Sequence, residues 1–258
     1  MSDGAVTAAR IAGDRGGALV FVHGVGSTAA IWDRQLSAFA LEHQCVAIEL
    51  RGNGVPQPEP APALVTRAGY AADVLAVCDA LGIERFTIVG CSLGGVVAFE
   101  LWSRAPERIA AMVIVGSFAA YPNAGAHAAS LQEAVRAAGN MAAFAQERAA
   151  KLGLPPERLR ETLDQMACKS VDSYLAATIA TWTGDYTTVL PTITVPVLVA
   201  CGERDGIAPP QLSAEIAAAI PNARYAEVSD AGHVANADNP EAFNALLSEF
   251  LATAAPAT

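Results

Sequence analysis

The chain has 258 residues, a length that suits one α/β domain with room for an insertion. Hydrophobic residues make up 53% of it, enough for a large buried core and far from a disordered composition. A net charge of −10 argues against nucleic acid and anionic membrane as partners, because both demand a basic surface.

The opening MSDGAVTAARIAGDRGG carries two early acids and no apolar stretch of signal length, so no export signal is expected. No run reaches the ~18–20 apolar residues of a membrane span. The runs ALVFVH (18–23) and QCVAIEL (44–50) are predicted strands, with a helical pattern near 29–42 between them. Pro56, Pro58, Pro60 and Pro62 then make an extended loop. A helical pattern near 67–82 leads to the strand RFTIVGC (85–91), and another near 93–105 leads to IAAMVIVG (109–116). VPVLVAC (195–201) and ARYAEVS (223–229) complete the strands, followed by helices near 210–220 and 239–252 respectively. Most of these runs are too uniformly apolar for a half-exposed sheet and are expected as central parallel strands covered on both faces. The alternation predicts an α/β fold with a doubly wound, mostly parallel sheet.

From Tyr121 to Val189 the chain is helical, Ala-rich and without a strand candidate. Residues 1–120 and 190–258 are therefore expected to form the core, and 121–189 a helical cap over the sheet's carboxyl edge, where open α/β sheets bind ligands. Between residues 122 and 188 stand six basic and seven acidic side chains, so the cap carries about −1 of the total. Five cysteines (45, 78, 91, 168, 201) are odd in number and lack metal-ligand spacing. Four lie in apolar runs, which predicts buried, reduced thiols in a cytoplasmic protein.

The segment IVGCSLGG (88–95) carries the strongest chemical signal. Gly90-Cys91-Ser92-Leu93-Gly94 fits G-x-S-x-G, with an apolar strand before it and a helical pattern after it. In a nucleophile elbow the serine sits on a strained turn, and larger side chains two residues away would collide. Cys91 is intrinsically the better nucleophile, but the register of the glycines puts Ser92 at the tip. A serine needs a base. His43 ends a surface-like helix, His127 lies in the cap, and His23 precedes a glycine turn and suits a structural role. His233, in the loop SDAGHVANADNP after the last strand, fits the chain order Ser, Asp, His. Asp205 follows the strand 195–201 and is preferred as the orienting acid over Glu203 and Asp230, with a helix N-cap as its bland alternative. The turn HGVG (23–26) presents the Val25 amide, which with the Leu93 amide would make an oxyanion hole.

A rival class reads the same turn differently. Gly24 to Ala29 satisfies G-x-G-x-x-A after a strand, and Glu49 ends the next strand where a ribose-binding acid belongs in a nicotinamide-dependent oxidoreductase. That reading leaves GCSLGG, Asp205 and His233 without a task. It also finds no Tyr-x-x-x-Lys pair, since Lys151 and Lys169 follow Glu147 and Gln165 at that spacing.

HGVG, RGNG (51–54), GCSLGG (90–95), GERDGIAPP (202–210) and AGH (231–233) occur in the order seen in α/β-hydrolase-fold enzymes. Within that superfamily the chain most resembles 3-oxoadipate enol-lactonase-like hydrolases and their small esterase relatives. The resemblance implies Ser92 as nucleophile, His233 as base, Asp205 as acid, Val25 and Leu93 as oxyanion donors, and no cofactor or metal. RGNG departs from the more usual RGHG, and Cys91 stands where His or Leu is common. Ser92 argues against dehalogenases and epoxide hydrolases of this fold, which use Asp. The implied substrate is a small-molecule carboxylic ester or lactone. A cofactor-free perhydrolase or haloperoxidase-like enzyme would share the same triad. Arg148 and Trp182 are candidate substrate contacts within the cap.

Overall fold

The computed structural model describes residues 8–53, 60–149 and 156–254. Gly54, Pro56, Pro58 and Lys151 lie outside them. Six strands form on the apolar runs: β2 (Ala18–Val22), β3 (Gln44–Glu49), β4 (Phe86–Cys91), β5 (Ile109–Val115), β6 (Val197–Gly202) and β7 (Ala223–Val228). A further strand, β1 (Ala8–Ala12), precedes them. The order is β1-β3-β2-β4-β5-β6-β7, parallel throughout except where β1 pairs antiparallel with β3.

The uniform apolarity of β2 and β6 follows from cover on both faces, and every residue of both strands is buried. Successive side chains take opposite faces. Val20 and Val22 pack into one apolar cluster with Val46 and Ile48, and Leu19 and Phe21 into another with Val89. Two strands depart from the expectation of central, covered strands. β1 was not expected at all, because AARIA has only one large apolar residue and lies half exposed at the sheet's edge. β7 closes the other edge, and its Arg224, Tyr225 and Glu227 are exposed. Charges on an outermost strand discourage pairing with another chain.

Helices α1 (Asp33–Phe39), α2 (Arg67–Ala80) and α3 (Leu93–Arg104) follow β2, β3 and β4. Thr66 caps α2 by accepting the Gly69 N–H at 3.0 Å. Between β5 and β6 come α4 (Ala124–Ala138), α5 (Met141–Ala149), α6 (Pro156–Ala167) and α7 (Val171–Trp182). The chain ends with α8 (Pro210–Ala219), the short α9 (Ala235–Asp238) and α10 (Pro240–Ala254). α2, α3 and α8 cover one sheet face through Tyr70, Phe99 and Ile216. α1 and α10 cover the other through Leu36, Phe243 and Phe250. The inserted helices share a small core of their own, including Val135, Phe144, Met166 and Tyr174. Among the described residues no helix is long and apolar enough to cross a membrane.

One buried ion pair fixes the loop after β3. Arg51 donates from Nη2 to Asp73 Oδ1 at 2.6 Å and from Nε to Oδ2 at 2.9 Å, tying the start of RGNG to α2. Both side chains are 3% exposed, so removing one leaves the other charge stranded. Asp73→Ala is expected to cost about 3–5 kcal/mol of stability. Urea denaturation checks it as a lower midpoint at an unchanged slope.

Candidate active site

The loops that leave the carboxyl ends of β2, β4, β6 and β7 carry Val25, Ser92, Asp205 and His233. Ser92 joins β4 to α3 with φ 55° and ψ −114°, a conformation that L side chains rarely adopt. The flanking glycines are there for want of space. A Cβ on Gly90 would lie 2.2 Å from the Gly94 carbonyl oxygen, and one on Gly94 would lie 2.1 Å from that of Val22. The turn is held by the Ser92 N–H, which donates to the Val115 carbonyl at 2.9 Å. Ser117 Oγ donates to the Ser92 carbonyl at 2.8 Å.

Asp205 and His233 are brought together: Nδ1 of His233 lies 2.8 Å from Asp205 Oδ2. The other carboxylate oxygen accepts the N–H groups of Ile207 and Ala208 at 2.8 and 2.9 Å. Asp205 is therefore not the N-cap of α8, a position that Pro209 holds. Its side chain is fully buried, with the His233 ring and two N–H groups converging on it. With Nδ1 donating, Nε2 of His233 is left as the basic atom. The competitors fall away. Glu203 is exposed, and Asp230, also exposed, pairs with Arg204 at 3.2 Å.

Sequence reasoning missed one contributor. Gly116, at φ 51° just after β5, leaves the space this pair needs, because a Cβ there would stand 2.8 Å from the His233 carbonyl and 3.0 Å from Asp205 Oδ2. The run IVG ending a strand is the one signal, and it does not distinguish this role from an ordinary turn.

The turn after β2 closes through the Ser27 N–H, which donates to the Gly24 carbonyl at 3.2 Å. Among the described residues neither the Val25 nor the Leu93 N–H has a hydrogen-bond acceptor. For Leu93 this is the ordinary state of the first residue of a helix. His23 is fully buried and takes the structural role expected of it, with Nε2 accepting the Leu50 N–H at 3.2 Å. Glu49 is likewise occupied. Its Oε2 accepts the Ala29 N–H at 3.0 Å, so one oxygen of the acid required by the dinucleotide reading is already engaged within the protein. Burial opposes its charge, but His23 and the Ala29 N–H prevail and hold its carboxyl below the ordinary glutamate value.

Ser92, His233 and Val25 line one cavity of about 300 Å³, roofed by residues of α5, α6 and α7 that include Arg148, Arg158, Gln165, Met166 and Trp182. Among the described residues no group of three or more His, Cys, Asp or Glu is placed to hold a metal ion.

A sequence model of the α/β hydrolase fold matches residues 17–240. The chain belongs to that family. RutD of Azorhizobium caulinodans, whose name assigns it provisionally to carbamate hydrolysis, is 30% identical over 88% of this chain and 88% of its own. 3-Oxoadipate enol-lactonase 2 of Acinetobacter baylyi is 28% identical over 88% of this chain and 85% of its own. Among solved structures, the enol-lactonase of Burkholderia xenovorans LB400 superposes with a TM-score of 0.87 at 27% identity, covering 97% of this chain and 98% of that one.

Within this hydrolase fold the two candidate substrate contacts, Arg148 and Trp182, both reach the cavity. Trp182 is buried, stacked on Phe118 with centroids 5.0 Å apart and met edge-on by His127 at 4.4 Å and Tyr121 at 4.6 Å. His127 thus serves an aromatic cluster. Burial, aided by the Arg148 charge, holds it below the ordinary histidine value. The three cavity arginines differ. Arg158 is balanced by Glu161 at 2.5 Å and Asp238 at 3.5 Å, and Arg204 by Asp230 and Glu203. Arg148 has no ion-pair partner among the described residues.

Cys91 is the second would-be nucleophile of the turn. It is 1% exposed, packs with the α1 and α10 face, and burial drives its thiol well above the ordinary cysteine value. Thiolate is the reactive form, so this environment keeps it inert. Burial likewise raises Cys45 to about 11 and Cys78 to about 12, and Cys201 is also buried, which leaves Cys168 as the exposed thiol of the five. Titration of the native protein with a disulfide-exchange reagent should modify Cys168 rapidly and release the other four only on unfolding. Rapid native labelling of Cys91, located by peptide mass, would contradict the burial described.

Proposed function

We propose that the chain is a cytoplasmic serine hydrolase that cleaves a small carboxylic ester or lactone bearing a free carboxylate. The observation that carries the reading is the 2.8 Å contact of buried Asp205 with His233, which lines one cavity with the strained Ser92 turn. In this mechanism His233 Nε2 takes the Ser92 proton as Oγ attacks the carbonyl carbon, and Asp205 stabilises the imidazolium that forms. The Val25 and Leu93 N–H groups hold the tetrahedral oxyanion. Collapse breaks the ester bond, and His233 returns the proton to the departing alkoxide or enolate oxygen. Water, deprotonated by His233, then attacks the acyl-Ser92 ester, releasing the acid and restoring the serine. The cavity volume suits a small molecule, and the residues 121–189 act as its cap.

The carboxylate preference rests on Arg148. A cavity-facing guanidinium with no ion-pair partner among the described residues is a ready partner for an anionic group. The substrate-class test compares kcat/KM for 3-oxoadipate enol-lactone, a small carbamate ester and neutral p-nitrophenyl butyrate, with Ser92→Ala as the blank. Ser92→Ala should abolish turnover of all three, and Asp205→Asn should lower kcat by about 10⁴-fold. Arg148→Ala should raise KM for the enol-lactone by about tenfold or more, as loss of a charge-assisted hydrogen bond implies, and leave the neutral ester unchanged. Equal effects on charged and neutral substrates would remove Arg148 from the site. Turnover that requires hydrogen peroxide would replace hydrolysis with perhydrolysis on the same residues.

A further inference from the structure

Lys169 links α6 to α7 and is 7% exposed. Its ammonium donates to two main-chain carbonyls, that of Ser27 at 2.8 Å and that of Asn53. It therefore joins three segments: the turn after β2, the loop after β3 and the inserted helices. A buried ammonium is expensive to keep, and an apolar side chain would fill the space at lower cost. Its neighbours show what it secures. Ser27 Oγ donates to Gln165 Oε1 at 2.9 Å, and Gly26, at φ 78°, lies against Tyr174 and Met166, so a Cβ there would be 3.2 Å from the tyrosine ring. The turn that carries the Val25 N–H is thus held from outside by the α6–α7 region, with Lys169 its charged fastening.

We propose that Lys169 is a positioning residue of the hydrolytic reaction, fixing the Gly24–Ser27 turn so that the Val25 N–H meets the developing oxyanion. The assignment rests on the serine-hydrolase reading above. Its pH behaviour separates it from a merely structural role. Burial pulls Lys169 down to about 8, against the opposing pulls of Cys168 on its own segment and Glu49 on β3. The other titratable groups of this region are His23, 3.2 Å from Glu49, and the Arg51–Asp73 ion pair at the base of the loop that carries Asn53. Because the unfolded lysine holds its proton to higher pH, stability from this group rises as pH climbs from about 8 towards 10.5, the ordinary lysine value. Proton loss over the same range weakens both bonds to the carbonyls. Activity and stability therefore move in opposite directions.

The test compares wild type, Lys169→Met, Lys169→Arg and Ser92→Ala. The readouts are kcat and KM on p-nitrophenyl butyrate, the rate of covalent phosphorylation by diethyl p-nitrophenyl phosphate, and thermal melting, each across pH 6–10. Loss of one oxyanion donor sets the ceiling, so Lys169→Met should lower kcat by about 10–100-fold with KM nearly constant. Phosphorylation should slow in parallel, Tm should hold or rise, and the wild-type decline of kcat above pH about 8 should vanish in the variant. Lys169→Arg, which keeps a cation and its donors, should recover most of the loss. A Lys169→Met enzyme with wild-type kcat and phosphorylation rate would overturn the proposal, as would a kcat loss that tracks a falling Tm. Should that variant not fold, the wild-type profile decides: kcat falling through pH about 8 at steady or rising Tm supports the assignment, and a flat profile overturns it. Wild type that is not phosphorylated at Ser92 would overturn the serine mechanism itself, and this assignment with it.

Discussion

The strained backbone at Ser92 is the constraint on which the rest of the structure turns. A non-glycine residue at φ 55° and ψ −114° costs about 1–3 kcal/mol, and surrounding structure has to supply it. Here the supply is close backbone packing. α3 enters against the strands with no side chain at Gly90 or Gly94, and Gly95 sits against Ser117 so tightly that a Cβ would lie 2.5 Å from its hydroxyl. The same Ser117 hydroxyl holds the Ser92 carbonyl. Three strands and one helix therefore determine where a single oxygen sits, and substitution at any of these glycines would be felt at the serine.

The electrostatics of the molecule run against its bulk charge. A chain of net charge −10 gathers Arg148, Arg158 and Arg204 around one cavity, and among the described residues carboxylates pair with Arg158 and Arg204 but not with Arg148. In a partly enclosed space the remaining charge is poorly screened, so it acts on an entering anion more strongly than a surface arginine would. The buried charges are handled differently. Arg51 meets Asp73 at two points, while Lys169 is bonded to carbonyls instead of a carboxylate, with Glu49 acting on it as a favourable charge. An ammonium satisfied by neutral acceptors retains its desolvation cost, which is why its affinity for the proton falls.

Much of the fold was legible because parallel strands covered on both faces must be apolar throughout, and the six runs announced themselves. β1 stayed hidden because an edge strand with one solvated face needs no such run, and AARIA carries none. β7 was found, but its exposure was not, since ARYAEV at an edge has no neighbour beyond it to bury its alternate residues. The Ser92, Asp205 and His233 positions were readable because each lies just beyond a recognisable strand, where the chain must emerge at the same sheet edge. Gly116 and Lys169 were not. Their roles arise from segments far apart in sequence, Gly116 against His233 and Lys169 against Ser27 and Asn53, and neither leaves a local pattern.

The division between sheet and inserted helices is consequently less clean than a core with a lid. The sheet alone places Ser92, Asp205, His233 and the Leu93 N–H, all of which follow strand ends. The Val25 N–H belongs to a turn whose inner end is fixed by β2 but whose outer side leans on Gln165, Met166, Lys169 and Tyr174. Arg148 and Trp182 come from the same set of helices. One half of the proposed oxyanion hole and the proposed substrate contacts therefore share a support. On these proposals, a change that reshapes the inserted helices to admit a different substrate would also move the Val25 turn and so couple selectivity to rate. With the proposed triad anchored to the sheet, that coupling would give the inserted helices a hold on kcat as well as on KM.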